Sequence, residues 1–206
     1  MGKSIQDLID SGEIEDLSVK ELLCHNKNLT SLKGIEKFIN LEVLLCAGNQ
    51  LTSLKEIEGL VNLTQLGCHC NQLTSLEELE NFINLERLIC HSNQLTSLEG
   101  IERLVNLNTL YCEENQLTSL EGIENLVNLK ELYCAKNKLT SLEGIENMSK
   151  LTRLGYHGNL FGAKYDGLSA QEIVSKVMIE AHLKPNDNLR GAASISDTGL
   201  FDFKMK

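Results

Sequence analysis

The chain is predicted to be an α/β solenoid, a stack of short coils that share one parallel β-sheet. Three observations point there. The stretch Asn-Gln-Leu-Thr-Ser-Leu begins at Asn49, Asn71, Asn93 and Asn115, and Asn-Lys-Leu-Thr-Ser-Leu follows at Asn137, so one motif recurs every 22 residues. Within each repeat, apolar residues first alternate with polar ones and then fall three apart. The 206 residues are 42% hydrophobic with a single Pro, and no apolar run approaches the roughly 18 residues of a membrane helix.

Aligned coils run from Val19 to Asn40 and then start at Leu41, Leu63, Leu85, Leu107 and Leu129, with a degenerate seventh from Leu151 that loses the pattern after Phe161. Positions one, four and six are apolar, as in Leu85, Leu88 and Cys90, which reads as a short strand with one face buried. Position nine is Asn in six coils (Asn49, Asn71, Asn93, Asn115, Asn137, Asn159). A buried Asn needs partners, and backbone groups of its own and the neighbouring coil supply them. The return half, with Leu117, Leu120, Ile123, Leu126 and Val127, fits a tight or 3₁₀-like segment. Glu recurs at position eighteen, where it suits the exposed N–H groups of that turn.

The pattern Leu-x-x-Leu-x-Cys-x-x-Asn-Gln-Leu-Thr-Ser-Leu, with Asn-Leu joining coils as at Asn106-Leu107, resembles the 22-residue class of leucine-rich repeats. That class includes the bacterial internalins and a regulatory subunit of a Ser/Thr phosphatase. The resemblance covers Val19 to Phe161 and implies a right-handed horseshoe of about seven coils, a concave parallel sheet, a 3₁₀ or extended convex side and helical caps. It says little of function, because members bind different partners through variable concave residues. Two departures stand out: Cys where Leu is usual at position six, and Lys27 in place of the first Asn, which ties that coil to the N-terminal cap.

Terminal coils must be closed, since each would otherwise expose its interior. Residues 1–18 read as an N-terminal helical cap, with Ile5, Leu8 and Ile9 at helical spacing and Gly12 as a stop. After the repeats at 19–161, residues 162–185 read as a cap helix, opened by the capping box Ser169-Ala170-Gln171-Glu172 and stopped near Pro185. The tail, 186–206, is either a flexible arm or a segment folded back on the cap.

Six cysteines, Cys24, Cys46, Cys68, Cys90, Cys112 and Cys134, share position six and point inward as small apolar side chains, whereas Cys70 points outward. Free thiols and the lack of a secretory signal favour the cytoplasm. A net charge of -10 makes nucleic acid a poor partner, and acidic residues gather on the return side at Glu77, Glu78, Glu80, Glu99, Glu102, Glu121, Glu124, Glu143 and Glu146.

Function is expected on the outward strand positions. Position five carries a partly apolar stripe, Leu23, Leu45, Gly67, Ile89, Tyr111, Tyr133 and Gly155. Tyr111 and Tyr133 are candidate anchors, Leu45 and Ile89 lie on the same stripe, and Arg87, Glu113, Glu114, Glu131 and Arg153 form a charged surround. Simple coverage of a sheet by large side chains explains the stripe less well. The chain therefore reads as a non-catalytic, monomeric protein-binding module with no cofactor, no nucleic acid and no membrane association. The alternative is a metal-dependent enzyme or sensor in which His69, His91 and Glu113 on consecutive coils converge on an ion, with Cys70 at the edge. No Gly-rich phosphate loop, Gly-x-Ser-x-Gly or His-Glu-x-x-His occurs.

Overall fold

Seven three-residue strands follow one another along the chain: β1 (Glu21–Leu23), β2 (Val43–Leu45), β3 (Gln65–Gly67), β4 (Arg87–Ile89), β5 (Thr109–Tyr111), β6 (Glu131–Tyr133) and β7 (Arg153–Gly155). They form one parallel sheet in sequence order, and each residue pairs with the one 22 positions on, as Leu88 with Leu110 and Leu110 with Leu132. This is a computed structural model, and it describes residues 2–183. The expected stop at Pro185 and the tail at 186–206 lie outside the described residues.

Burial follows the 22-residue frame. In the fourth coil Leu85, Leu88, Cys90, Leu95, Leu98, Ile101 and Leu104 are fully buried, and the same positions are buried in neighbouring coils, so the core is one continuous column. Each coil alone has no second layer to pack on; stacking supplies it. Position twenty-one departs from expectation. Val127, read as part of the apolar return face, is 42% exposed, and Ile39, Val61, Ile83 and Val105 are exposed as well. Leu126 takes the inward place at that turn, and two adjacent residues cannot both point inward at a period of three.

The return segment takes two forms. It is a 3₁₀ turn at Ile35–Lys37, Lys55–Ile57 and Glu77–Leu79, and a plain turn in later coils. Gly100, Gly122 and Gly144 there have φ of 101°, 101° and 110°, which only glycine adopts cheaply. In these coils the position-eighteen Glu accepts the glycine amide: Gly100 N to Glu102, Gly122 N to Glu124 and Gly144 N to Glu146, each at 2.9 Å.

The Asn ladder forms as expected. Asn93 Nδ2 donates to the carbonyls of Cys68, Cys90 and His91, while its Oδ1 accepts from Leu73 N, so one side chain joins two coils. A second ladder lies at position twenty-two, where Asn84, Asn106 and Asn128 donate to the carbonyls of Val61, Ile83 and Val105.

The N-terminal end is covered by α1 (Ile5–Asp10), opened by a Ser4–Asp7 capping box and burying Ile5 and Leu8. Lys3 pairs with Leu29, Gln6 N donates to Lys33 O, and Lys27 joins Glu13 at 3.1 Å, which ties the first coil to the cap as its departure from Asn implied. At the other end α2 (Ala170–Leu183) begins with Ser169 N donating to Glu172 and Glu172 N to Ser169 Oγ. It buries Ile173, Val174 and Val177 and leaves Met178 and Ile179 exposed. Tyr156, which replaces the position-six cysteine, donates to Tyr165 O at 2.8 Å and, with Phe161 and Tyr165, closes the column.

Candidate functional site

The outward face of the sheet carries every expected site residue on β2 and β4–β7 or just after them, at positions three, five, seven and eight of their coils. Because register is fixed at 22 residues, side chains at one position stand one strand apart, about 4.8 Å. Arg87 on β4 lies over the Tyr111 ring of β5, with its guanidinium carbon 5.3 Å from the centroid. Tyr111 donates its hydroxyl to Glu131 Oε2 on β6 at 2.7 Å, and Glu131 Oε1 takes Arg153 of β7 at 2.7 Å. Tyr133 meets the Tyr111 ring edge-on, centroids 4.7 Å apart. Arg87, Tyr111, Tyr133, Glu131 and Arg153 thus form one connected network across four strands. The Tyr111 hydroxyl is held above its ordinary pKa, first by the bond to Glu131, then by desolvation and the Glu131 charge.

The two glycines of the stripe are gaps that their neighbours fill. A Cβ at Gly155 would stand 2.5 Å from Tyr133 Cδ1, and one at Gly67 would stand 2.9 Å from Leu45 Cδ2. Tyr133 and Leu45 therefore lean over the following coil. Ile89 and both tyrosines are half-buried, and the outward-pointing Thr109 is buried beneath its neighbours. The face is more enclosed than alternation alone implies.

Position eight, an outward position at the rim, takes a left-handed backbone that the repeat pattern does not announce. Asn26, Cys70, Ser92, Glu114 and Lys136 all have φ of 53–54°, and Gly48 and Gly158 lie in the same region. The two glycines and Asn26 were the available signal, since these residues tolerate the left-handed conformation best.

His69 and His91 do come together, but not as metal ligands. Their rings stack with centroids 4.4 Å apart and planes at 27°. Ring nitrogens lie in the ring plane, so stacked rings aim their lone pairs side by side rather than at one point. Nothing in this geometry supports the metal-binding alternative, and among the described residues no group of three or more His, Cys, Asp or Glu is arranged to hold an ion. Glu113 is half-buried, with Oε2 lacking a hydrogen-bond partner, and desolvation raises its pKa. Desolvation, then the charges of His91 and His25, lowers that of His69, whose Nδ1 is also without a partner.

All seven cysteines are free, with the six of position six buried and Cys70 exposed. Desolvation pushes the Cys68 and Cys134 thiols up to about 12. Among the described residues no helix is long and apolar enough to cross a membrane.

Comparison with known proteins agrees with this architecture. A family model described as Leucine Rich repeats (2 copies) matches residues 39–81 and again 83–125. A leucine-rich repeat protein of Leptospira interrogans is 33% identical with a TM-score of 0.68, over 77% of this chain and 42% of that one. Two internalins of Listeria monocytogenes are each 22% identical. InlF aligns at a TM-score of 0.58 over 69% of this chain and 48% of its own. Internalin C2 aligns at 0.55 over 67% and 80%. The chain thus spans about half the length of InlF and less of the Leptospira protein. No curated protein sequence matches. The chain belongs to the leucine-rich repeat proteins, and its repeats are consistent with the internalin type. This fold commonly mediates protein–protein interaction.

Proposed function

We propose that the chain is a non-catalytic, cytoplasmic, monomeric module that binds a protein partner on the outward face of its sheet, centred on Tyr111 and Tyr133. The observation that carries this reading is the network Arg87–Tyr111–Glu131–Arg153, which holds two half-buried aromatic rings rigidly beside Ile89. Rings already fixed by neighbours lose little entropy on binding, which is what an anchor requires. Leu45, leaning over Gly67, extends the apolar surface toward the N-terminal coils, and Glu113 contributes charge at the rim. With Glu131 engaged by Tyr111 and Arg153, a partner meets ring faces and a neutralised charge pair rather than a free carboxylate.

The test is affinity capture from the native source with the wild-type chain and with Tyr111→Ala/Tyr133→Ala, after circular dichroism has shown that both are folded. A partner retained by wild type and lost by the double variant supports the reading. A partner retained equally by both places the interface elsewhere.

A further inference from the structure

The two caps differ in what they turn outward. On α1 the exposed residues are Asp7 and Asp10, whereas α2 buries Ile173, Val174 and Val177 in the core column and leaves Ile179 and Leu183 60% and 76% exposed. Leu168, just before the helix, is exposed as well. At about 100° per residue Ser175, Ile179 and Leu183 share one side of α2, opposite the buried three. Ser175 is small, and a shallow concavity of about 680 Å³ opens there between Leu168, Glu172, Lys176, Ile179 and Glu180. A cap that ends a stack of coils needs a polar outer face, so an apolar one calls for a cover.

The chain carries a segment of matching chemistry. Residues 200–206, beyond the described ones, read Leu200-Phe201-Asp202-Phe203-Lys204-Met205-Lys206. Phe201, Phe203 and Met205 alternate with Asp202, Lys204 and Lys206, which gives an extended segment one apolar edge. Seven extended residues span about 23 Å, close to the roughly 21 Å of a helix as long as α2. Residues 184–199 join the two, and at about 3.3 Å each they reach about 50 Å, enough to turn back along the helix. Charge agrees: two lysines against one aspartate leave the segment's side chains at one net positive, and Glu172 and Glu180 against Lys176 leave the concavity at one net negative. A tethered segment also meets this face at an effective concentration in the millimolar range, which favours it over an equally apolar free partner.

We propose that residues 200–206 of the same chain lie across the outward side of α2, running antiparallel to the helix from Leu183 toward Leu168, with Phe201 and Phe203 against Ile179 and Lys204 near Glu172. The tail is then the outer layer of the C-terminal cap, and the contact is separate from the aromatic network on the sheet.

The test is NMR of the full chain with labelled isoleucine δ1 methyls. In wild type the Ile179 methyl should show the ring-current displacement of a methyl packed on an aromatic ring. Phe201→Ala/Phe203→Ala should move it to the position of a solvated methyl while the Ile83 methyl, exposed in a distant coil, stays in place. Both phenylalanines lie beyond the repeats, so melting should remain cooperative. In the reciprocal variant, Ile179→Asp, the Phe203 backbone amide should move. The displacement should persist on dilution by about tenfold, because the contact is intramolecular. An Ile179 methyl unmoved by the double substitution would overturn the proposal, as would a Phe203 amide unmoved in folded Ile179→Asp. A displacement that fades on dilution would mean that a second copy supplies the rings, and would overturn it too.

Discussion

Removing one rung of the Asn ladder tests the packing account at its most explicit point. Asn93→Ala deletes the donor shared by the carbonyls of Cys68, Cys90 and His91, at 3.2, 3.0 and 3.3 Å, and the acceptor 2.9 Å from Leu73 N. Two amide protons serve three carbonyls, so the rung amounts to two good donated bonds and one accepted. At about 1 kcal/mol net for each bond, the loss is about 3 kcal/mol, and backbone groups of two coils are left without partners. Asn159, at the end of the array and only partly buried, is the internal control. Water reaches its partners more easily, so Asn159→Ala should cost about half as much. The assay is urea unfolding of the full chain by circular dichroism at several protein concentrations, with slopes compared so that a change in cooperativity is not mistaken for a change in stability. A loss below about 0.5 kcal/mol for Asn93→Ala would refute the ladder as a structural tie between coils.

Other consequences follow from the same geometry. Tyr111→Ala/Tyr133→Ala should weaken binding of the captured partner by about 2 kcal/mol or more, read by calorimetry, while melting stays cooperative. Gly155→Ala, whose Cβ would crowd Tyr133 Cδ1, should also reduce that affinity, because the ring must move off β7. Cys70 should react first with a thiol reagent in the native state, and the six stacked thiols only in denaturant, since burial disfavours their thiolates. Folding lowers the His69 pKa, so below the ordinary value of 6.5 the unfolded chain takes up the proton first. The urea midpoint should therefore fall as the pH drops through 6.5, and His69→Gln should shrink that fall.

How far the sequence reaches can be judged from particular residues. The strict period set the strand register, and alternation placed Leu88 and Cys90 inside and Ile89 outside, because a repeated unit has only one way to stack on itself. The Asn ladder followed from the need to satisfy a buried amide. The network on the face did not. That Tyr111 would reach diagonally to Glu131, rather than point straight out, depends on Arg87 behind it and on the edge-on ring of Tyr133 beside it. The stacked histidines show the same limit, since spacing put His69 and His91 on adjacent strands but ring orientation decided that they pack rather than ligate. Tyr165 carried no signal, because it lies beyond the repeats, where periodicity no longer constrains burial.

The central claim is that the aromatic network on the sheet is the contact surface. A photo-crosslinking residue placed at Ile89, beside the rings, and another at Val127, exposed on the return segment outside the sheet, would be compared in extract of the native source. The account predicts one discrete cross-linked product from position 89, absent from position 127 and abolished by Tyr133→Ala. A product from position 127 alone, or one from position 89 that survives Tyr133→Ala, would contradict it.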